Sequence, residues 1–288
     1  MIPRAHITAW RSRAPWSSDA QVEQDLVLSR VIVEIFSDPF LSAELAARGG
    51  TILHKLFLKP PGRYSEDIDL VQINAGPIKP ILAALRARLD PWLGPSAVAQ
   101  RRNAVRLEYR FDTEIEPVTR MRVKIEINTR EHFAVLGHAR RPFAVESPWF
   151  FGSTDVVTFP AEELLGTKLR ALYQRKKGRD LYDLATFLDR HPELDLAKIV
   201  ATFEDYITRG ETPISKAEFE ANLAAKVRDP TFGRDVRPLL APARPMGAVA
   251  DDAYLDAGYY LDDAHEGGFD VVAAAEKIRL ALLALISK

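Results

Sequence analysis

Three segments alternate polar and apolar residues at period two, and nothing constrains the fold of this chain more. They are Asp67–Ile73, Ala104–Phe111 and Met121–Ile127. Alternation of this kind marks strands with one buried and one open face. Between and before them run helical patterns, at 21–36, from Asp38-Pro39 to Ala47, at 51–58 and at 77–93, with Asp19 placed to cap the first. Residues 1–20 read as an arm or a short first helix. Thr113-Glu114-Ile115-Glu116-Pro117 suits a hairpin connection, and Arg141–Ser147 an edge strand. The expectation for the first half is α+β with about four strands.

After Thr158 the period changes. Pro160 with Glu162 and Glu163 opens a helix, Gly178 interrupts it, and Asp180–Leu188 continues it. The remainder reads as mainly helical, broken by the Pro-rich stretch 238–245 and the acidic stretch 251–263. The boundary falls near residue 155, giving units 1–155 and 156–288 without a long linker. With 288 residues, 47% of them hydrophobic and no cysteine, the chain is expected to bury a real core without disulfides, iron–sulfur clusters or Cys-based zinc sites. No run of about 18 apolar residues exists and the N-terminus lacks the apolar stretch of a secretory signal. The expectation is a cytoplasmic protein with no membrane partner. A net charge of −1 restricts nucleic-acid binding to a local patch.

The chemistry concentrates on carboxylates. Asp67 and Asp69 share one strand face, and Glu126 stands among apolar neighbours on another strand. If the strands pair, three carboxylates crowd one sheet face, and a divalent cation relieves their repulsion. Oxygen-only ligands suit Mg²⁺ or Mn²⁺, bound together with substrate phosphates. Upstream, Gly49-Gly50-Thr51 opens a short helix where backbone and phosphate could approach closely. The six histidines have no metal-ligand spacing.

Several cations admit two readings each. Lys55 contacts phosphate or is merely solvated. Arg63 binds phosphate or pairs with Glu66, and Lys124 pairs with a neighbouring carboxylate or meets substrate. The basic run from Lys168 to Arg179 is a solvated helix end or an RNA contact. Asp180 and Asp183 are a helix-start charge and a core-edge ion pair, or functional groups. Pro148-Trp149-Phe150-Phe151 is more in keeping with packing than with base stacking.

The ordered set Gly-Gly-Thr, helix, Arg63-x-Ser65-Glu66-Asp67-Ile68-Asp69-Leu70, then Lys124-x-Glu126, resembles the polymerase-β-like nucleotidyltransferase superfamily. Within it, those motifs together with Lys168-Leu169, Arg175 and Arg179-Asp180-Leu181-Tyr182-Asp183-Leu184 resemble the AbiEii/AbiGii toxins, similar to the MenT nucleotidyltransferases. The resemblance spans roughly residues 25–240 and implies a mixed sheet followed by a mainly helical half that completes the site. It implies transfer of a nucleotide from an NTP to the 3′ end of tRNA, in a toxin–antitoxin or phage-defence system with a separately encoded antitoxin. The implied catalytic residues are Asp67, Asp69, Glu126, Lys168 and Asp183. Asp67, Asp69 and Glu126 would hold metal, and Gly49, Gly50, Thr51, Lys55, Arg63, Ser65 and Lys168 the nucleotide. Transfer to a small molecule or a protein hydroxyl, and a non-catalytic nucleotide-binding role, are the competing readings. His54 and Phe57 occupy positions expected to vary.

Overall fold

The computed structural model describes residues 2–101, 104–210, 214–241 and 269–286. The acidic stretch 251–263 and most of the Pro-rich stretch lie outside these. After α1 (Arg4–Trp10), α2 (Asp19–Phe36) starts from a reciprocal cap. Ser18, one residue ahead of the expected Asp19, accepts from the Gln21 N–H, and the Gln21 side chain accepts from the Ser18 N–H. Asp38 caps α3 (Pro39–Glu44) through the N–H groups of Phe40 and Leu41, with Pro39 at the first helical position.

The helix expected to reach Ala47 ends at Glu44. Leu45–Arg48 instead forms β1, near the middle of the sheet. Its Leu-Ala-Ala core has no strand propensity to speak of. Pairing on both sides decides its conformation: β1 runs antiparallel to β2 (Asp67–Gln72) and parallel to β7 (Phe150–Thr158). Among the described residues the sheet has seven strands rather than about four, in the order β3-β4-β5-β2-β1-β7-β6. The unforeseen members besides β1 and β7 include β3 (Ala97–Gln100), a short exposed edge. The expected strands appear as β4 (Ala104–Asp112), β5 (Arg120–Asn128) and the opposite edge β6 (Ala139–Ser147).

Alternation does its expected work on β2, β4 and β5. Ile68, Leu70, Val105, Leu107, Tyr109, Val123, Ile125 and Ile127 point to one buried face. There α2 and α5 (Lys79–Leu93) pack on them. Asp67, Asp69, Arg106, Lys124 and Glu126 stand on the other face. Burying those eight apolar side chains stabilises the fold by about 1.5–3 kcal/mol each before chain entropy is charged against it. Trp149 and Phe150 pack as expected: Trp149 meets Trp92 edge-on at 5.8 Å, and the Arg30 guanidinium lies 4.0 Å from Trp92, 4.9 Å from Trp149 and 4.8 Å from Phe150. Phe151 is exposed.

The second half is helical: α6 (Ala161–Gln174), α7 (Gly178–Arg190), α8 (Leu196–Gly210), α9 (Lys216–Arg228) and α10 (Val271–Ala281). Gly178 does break the helix. A Cβ there would lie 2.3 Å from the Gly233 Cα, so only glycine admits this approach of α7 to the later turn. Buried Glu163 fastens the helical half to the loop after β5. Its carboxylate accepts from the N–H groups of Val135 and Leu136 and from the Tyr206 hydroxyl.

Candidate active site

The register brings the acidic residues together at backbone level. Asp69 stands opposite Glu126 on the parallel neighbour β5 and opposite Arg48 on β1, while Asp67 stands opposite Lys124. Their side chains do not form one three-carboxylate cluster, and among the described residues no group of three or more His, Cys, Asp or Glu is close enough to hold a metal. The reason lies in the neighbouring cations. Arg106 on β4 draws the Glu126 carboxylate to itself at 2.7 Å, and Lys124 sits 3.1 Å from Asp67 and 3.8 Å from Glu66. The expected crowding is relieved by arginine and lysine instead. Asp69 alone keeps a strained charge. Burial raises its pKa, Arg48 and Lys168 act against that rise, and Asp67 and Glu126 add to it.

The Gly-Gly-Thr turn serves this carboxylate directly. After β1, Gly49 takes φ +83° and begins α4 (Gly49–Ile52), followed by one wide helical turn, Leu53–Phe57. A Cβ on Gly49 would lie 2.1 Å from Asp69 Oδ2, and one on Gly50 would lie 2.3 Å from Arg63 Nη2. Both glycines therefore admit protein side chains against the backbone. Thr51 is buried; its hydroxyl bonds Ser65 Oγ at 2.8 Å and also the Asp67 carbonyl. Thr51 and Ser65 thus tie the turn to the start of β2. Lys55 is neither solvated nor facing this cleft; it pairs with Asp25 at 2.8 Å and donates to Ser29 at 2.9 Å, both on α2.

Arg63 meets neither Glu66 nor solvent. It is 2% exposed and grips Asp183 in a two-pronged pair, Nε–Oδ1 2.6 Å and Nη2–Oδ2 2.7 Å. Asp183 also takes Lys168 at 2.8 Å and His54 Nε2 at 2.9 Å. His54 Nδ1 accepts from the Gly62 N–H at 3.1 Å, so its proton sits on Nε2 and is donated to Asp183. Burial pushes the His54 pKa down to about 4, the neutral form this arrangement needs; Asp183 opposes that shift. Burial on its own would raise the Asp183 pKa, but Arg63, Lys168 and His54 hold it well below the carboxylate range. Tyr182 adds a bond from its hydroxyl to the Gly62 carbonyl at 2.8 Å. His54, far from being a variable position, is part of the core of the site. The sequence signal that could have marked it is its place one turn after Gly-Gly-Thr.

Lys168 and Asp183 come together because α7 folds back on α6 after residues 175–177. Asp180 holds Lys168 at 3.1 Å and Arg175 at 2.6 and 2.7 Å. Lys168 and Arg175 lower the Asp180 pKa against the desolvation that would raise it. In the basic run, Arg175 is thus committed to Asp180, and Lys176 pairs with Asp229. A further chain of charge was not foreseen: Glu131 bridges Arg48 at 2.5 Å and Arg170 at 2.8 Å.

A mixed sheet with an acidic strand face, a glycine turn against it and a lysine brought in from a helical second half is the architecture of a polymerase-β-like nucleotidyltransferase. MenT4, a nucleotidyltransferase toxin from Mycobacterium tuberculosis H37Rv, shares this fold at a TM-score of 0.59 and 19% identity, over 100% of both chains. JHP933 from Helicobacter pylori aligns at 0.47 and 17% identity, over 75% of this chain and 84% of its own. No curated protein matches the chain. The sequence model described as nucleotidyl transferase AbiEii toxin, type IV toxin–antitoxin system, matches residues 30–257, and the chain belongs to that family.

Proposed function

We propose that this toxin moves a nucleotide from an NTP to the hydroxyl at the 3′ end of tRNA, acting in the cytoplasm under a separately encoded antitoxin that gates its role in growth arrest or phage defence. The observation that carries the reading is Asp67 and Asp69 on one strand face, opposite Lys124 and Glu126 in register, beside the Gly49 turn. The metal was tested against this donor set. Asp67 and Asp69 are oxygen donors on adjacent same-face positions, and burial opposes ionisation of Asp69, which a cation would favour. They fit a hard ion such as Mg²⁺ or Mn²⁺; Glu126, held by Arg106, is not needed for that pair. A bound ion supplies charge neutralisation at the phosphates and at the attacking oxygen.

The other steps fall to the chain's own groups. Asp67 and Asp69 orient the phosphates' counter-charge, and Gly49 leaves the backbone open beside them. Lys168 has three ammonium protons; two serve Asp180 and Asp183, and the third is assigned to the triphosphate. The charge on departing pyrophosphate grows in the transition state, so a fixed lysine stabilises that state over the ground state. Arg63, His54 and Asp183 hold Lys168 from behind; Thr51 and Ser65 brace the start of β2. Glu126 is assigned to the acceptor hydroxyl, once its pair with Arg106 opens. The helical half, 156–288, completes the site by supplying Lys168.

The test is incubation with each α-labelled NTP, Mg²⁺ and separate RNA, protein and small-molecule acceptors. Label at the tRNA 3′ end that disappears in a folded Asp69→Ala variant supports the reading. Label on protein or small molecules, or growth arrest by the folded variant equal to wild type, sinks it.

A further inference from the structure

On the far side of the Arg48–Glu131–Arg170 chain lies a cavity of about 660 Å³, lined by Glu131, Arg170, Tyr173, Gln174, Tyr206 and Asn222. Its size is that of a small-molecule site. Its electrostatics argue against a phosphate. The arginine in its wall, Arg170, is spent on Glu131, which Arg48 also neutralises, so the wall offers little uncompensated positive charge. Its surfaces suit a flat, neutral, hydrogen-bonding ring. The Tyr206 ring carries the Arg170 guanidinium 4.9 Å from its centroid, and Tyr173 adds a second aromatic. Asn222 Oδ1 is buried and, among the described residues, has no hydrogen-bond partner. A buried acceptor left without a donor is unfavourable until a donor arrives.

We infer that this cavity receives the base of the nucleoside triphosphate, with Asn222 accepting from an N–H on the base edge. The inference rests on the nucleotidyl-transfer reading above and adds to it the place where the base is read. Two features orient the ligand. Arg170, Tyr173 and Gln174 belong to α6, the same helix that presents Lys168, so a ligand with its phosphates at Lys168 meets the cavity along one element. The Arg48 end of the ion chain adjoins Gly49, so the cavity and the Asp69 carboxylate share a wall. Asn222 is a specificity-determining residue in this account, and the Arg48–Glu131–Arg170 chain positions the wall.

Two variants test it. Asn222→Ala removes the acceptor. Gly210→Trp fills the cavity from its rim, where an added Cβ meets no atom within 4 Å, so the fold has room for it. Equilibrium binding of the four NTPs and of inorganic tripolyphosphate, which has no base, is measured with Mg²⁺ for both variants and the wild type. The expected result is an NTP affinity lowered about three- to tenfold by Asn222→Ala, the range of one neutral hydrogen bond. Gly210→Trp should lower it further, with tripolyphosphate affinity unchanged in both. Unchanged NTP affinity in both variants, or tripolyphosphate weakened as much as NTP, overturns the inference. Slower transfer to RNA at saturating NTP with unaltered NTP affinity also overturns it, by giving the cavity to the acceptor. A wild type that binds neither ligand removes the nucleotidyl-transfer reading itself, an outcome distinct from these.

Discussion

Asp183→Asn is the substitution that most directly tests how the two halves are joined. The carboxylate has no exposed surface and neutralises Arg63 and Lys168 while accepting from His54. The amide keeps the volume but leaves two buried cations with only Asp180 nearby, and that residue also serves Arg175. Removing one member of a buried ion pair costs about 3–5 kcal/mol. Retained volume and the surviving Asp180 contact place this variant near the lower end. At roughly 2–4 °C per kcal/mol for a chain of this size class, the melting temperature should fall by about 6–12 °C. Glu146→Gln, which breaks the exposed pair with Arg13, is the control and should change stability by less than about 1 kcal/mol. The assay is denaturant unfolding at pH 7, repeated down to pH 3. The Asp183 pKa is depressed, so its contribution is fully present above the unfolded value of about 3.9 and is lost as pH falls toward the folded one. The gap between wild type and variant should therefore narrow below about pH 4. Equal stability of the two proteins at pH 7, within about 0.5 kcal/mol, would refute the claim that this carboxylate carries buried charge.

His54 makes a separate pH prediction. Its pKa falls from 6.5 to about 4, so its contribution is present above 6.5 and drains away as pH drops through 4, by on the order of 3 kcal/mol. His54→Gln should flatten the stability profile across that window, and an unaltered slope counts against a neutral, buried imidazole. At Asp69 the sign reverses: its raised pKa means ionisation works against folding as pH rises. Asp69→Asn should be at least as stable as wild type at pH 7, and added Mg²⁺ should raise the melting temperature of the wild type only. Stabilisation of both proteins by the ion would detach the effect from Asp69.

The legible part of the fold was the part with one face open. β2, β4 and β5 alternate because Asp69, Arg106 and Lys124 face outward while Ile68, Leu107 and Ile125 face the helices. β1 carries no alternation, since Leu45, Ala46 and Ala47 are buried whichever face they present, and its pattern merges with that of the preceding helix. The same division holds at the site. Alternation put Asp67 and Asp69 on one face and strand pairing put Glu126 opposite. No local pattern shows that Arg63 will seek Asp183, 120 residues away, or that Arg106 will turn Glu126 from its neighbours. Charge partners across such separations are set by how the helices fold back, which is a property of packing.

The pairing of β1 with β7 also bears on when the molecule comes into being. Thr158 Oγ1 reaches the Ala47 carbonyl across 111 residues, and Asp183 reaches His54 across 129. Closing loops of that length must precede any reward from the contacts they bring, which makes such topologies slow to form. During synthesis, the acidic strand leaves the ribosome more than a hundred residues ahead of the aspartate that secures Arg63 and Lys168. A nascent chain stopped before α7 holds the carboxylates without the clasp behind them. The toxin is thus harmless by construction through most of its own translation, and the interval before its last helices emerge is time in which an antitoxin can already be present.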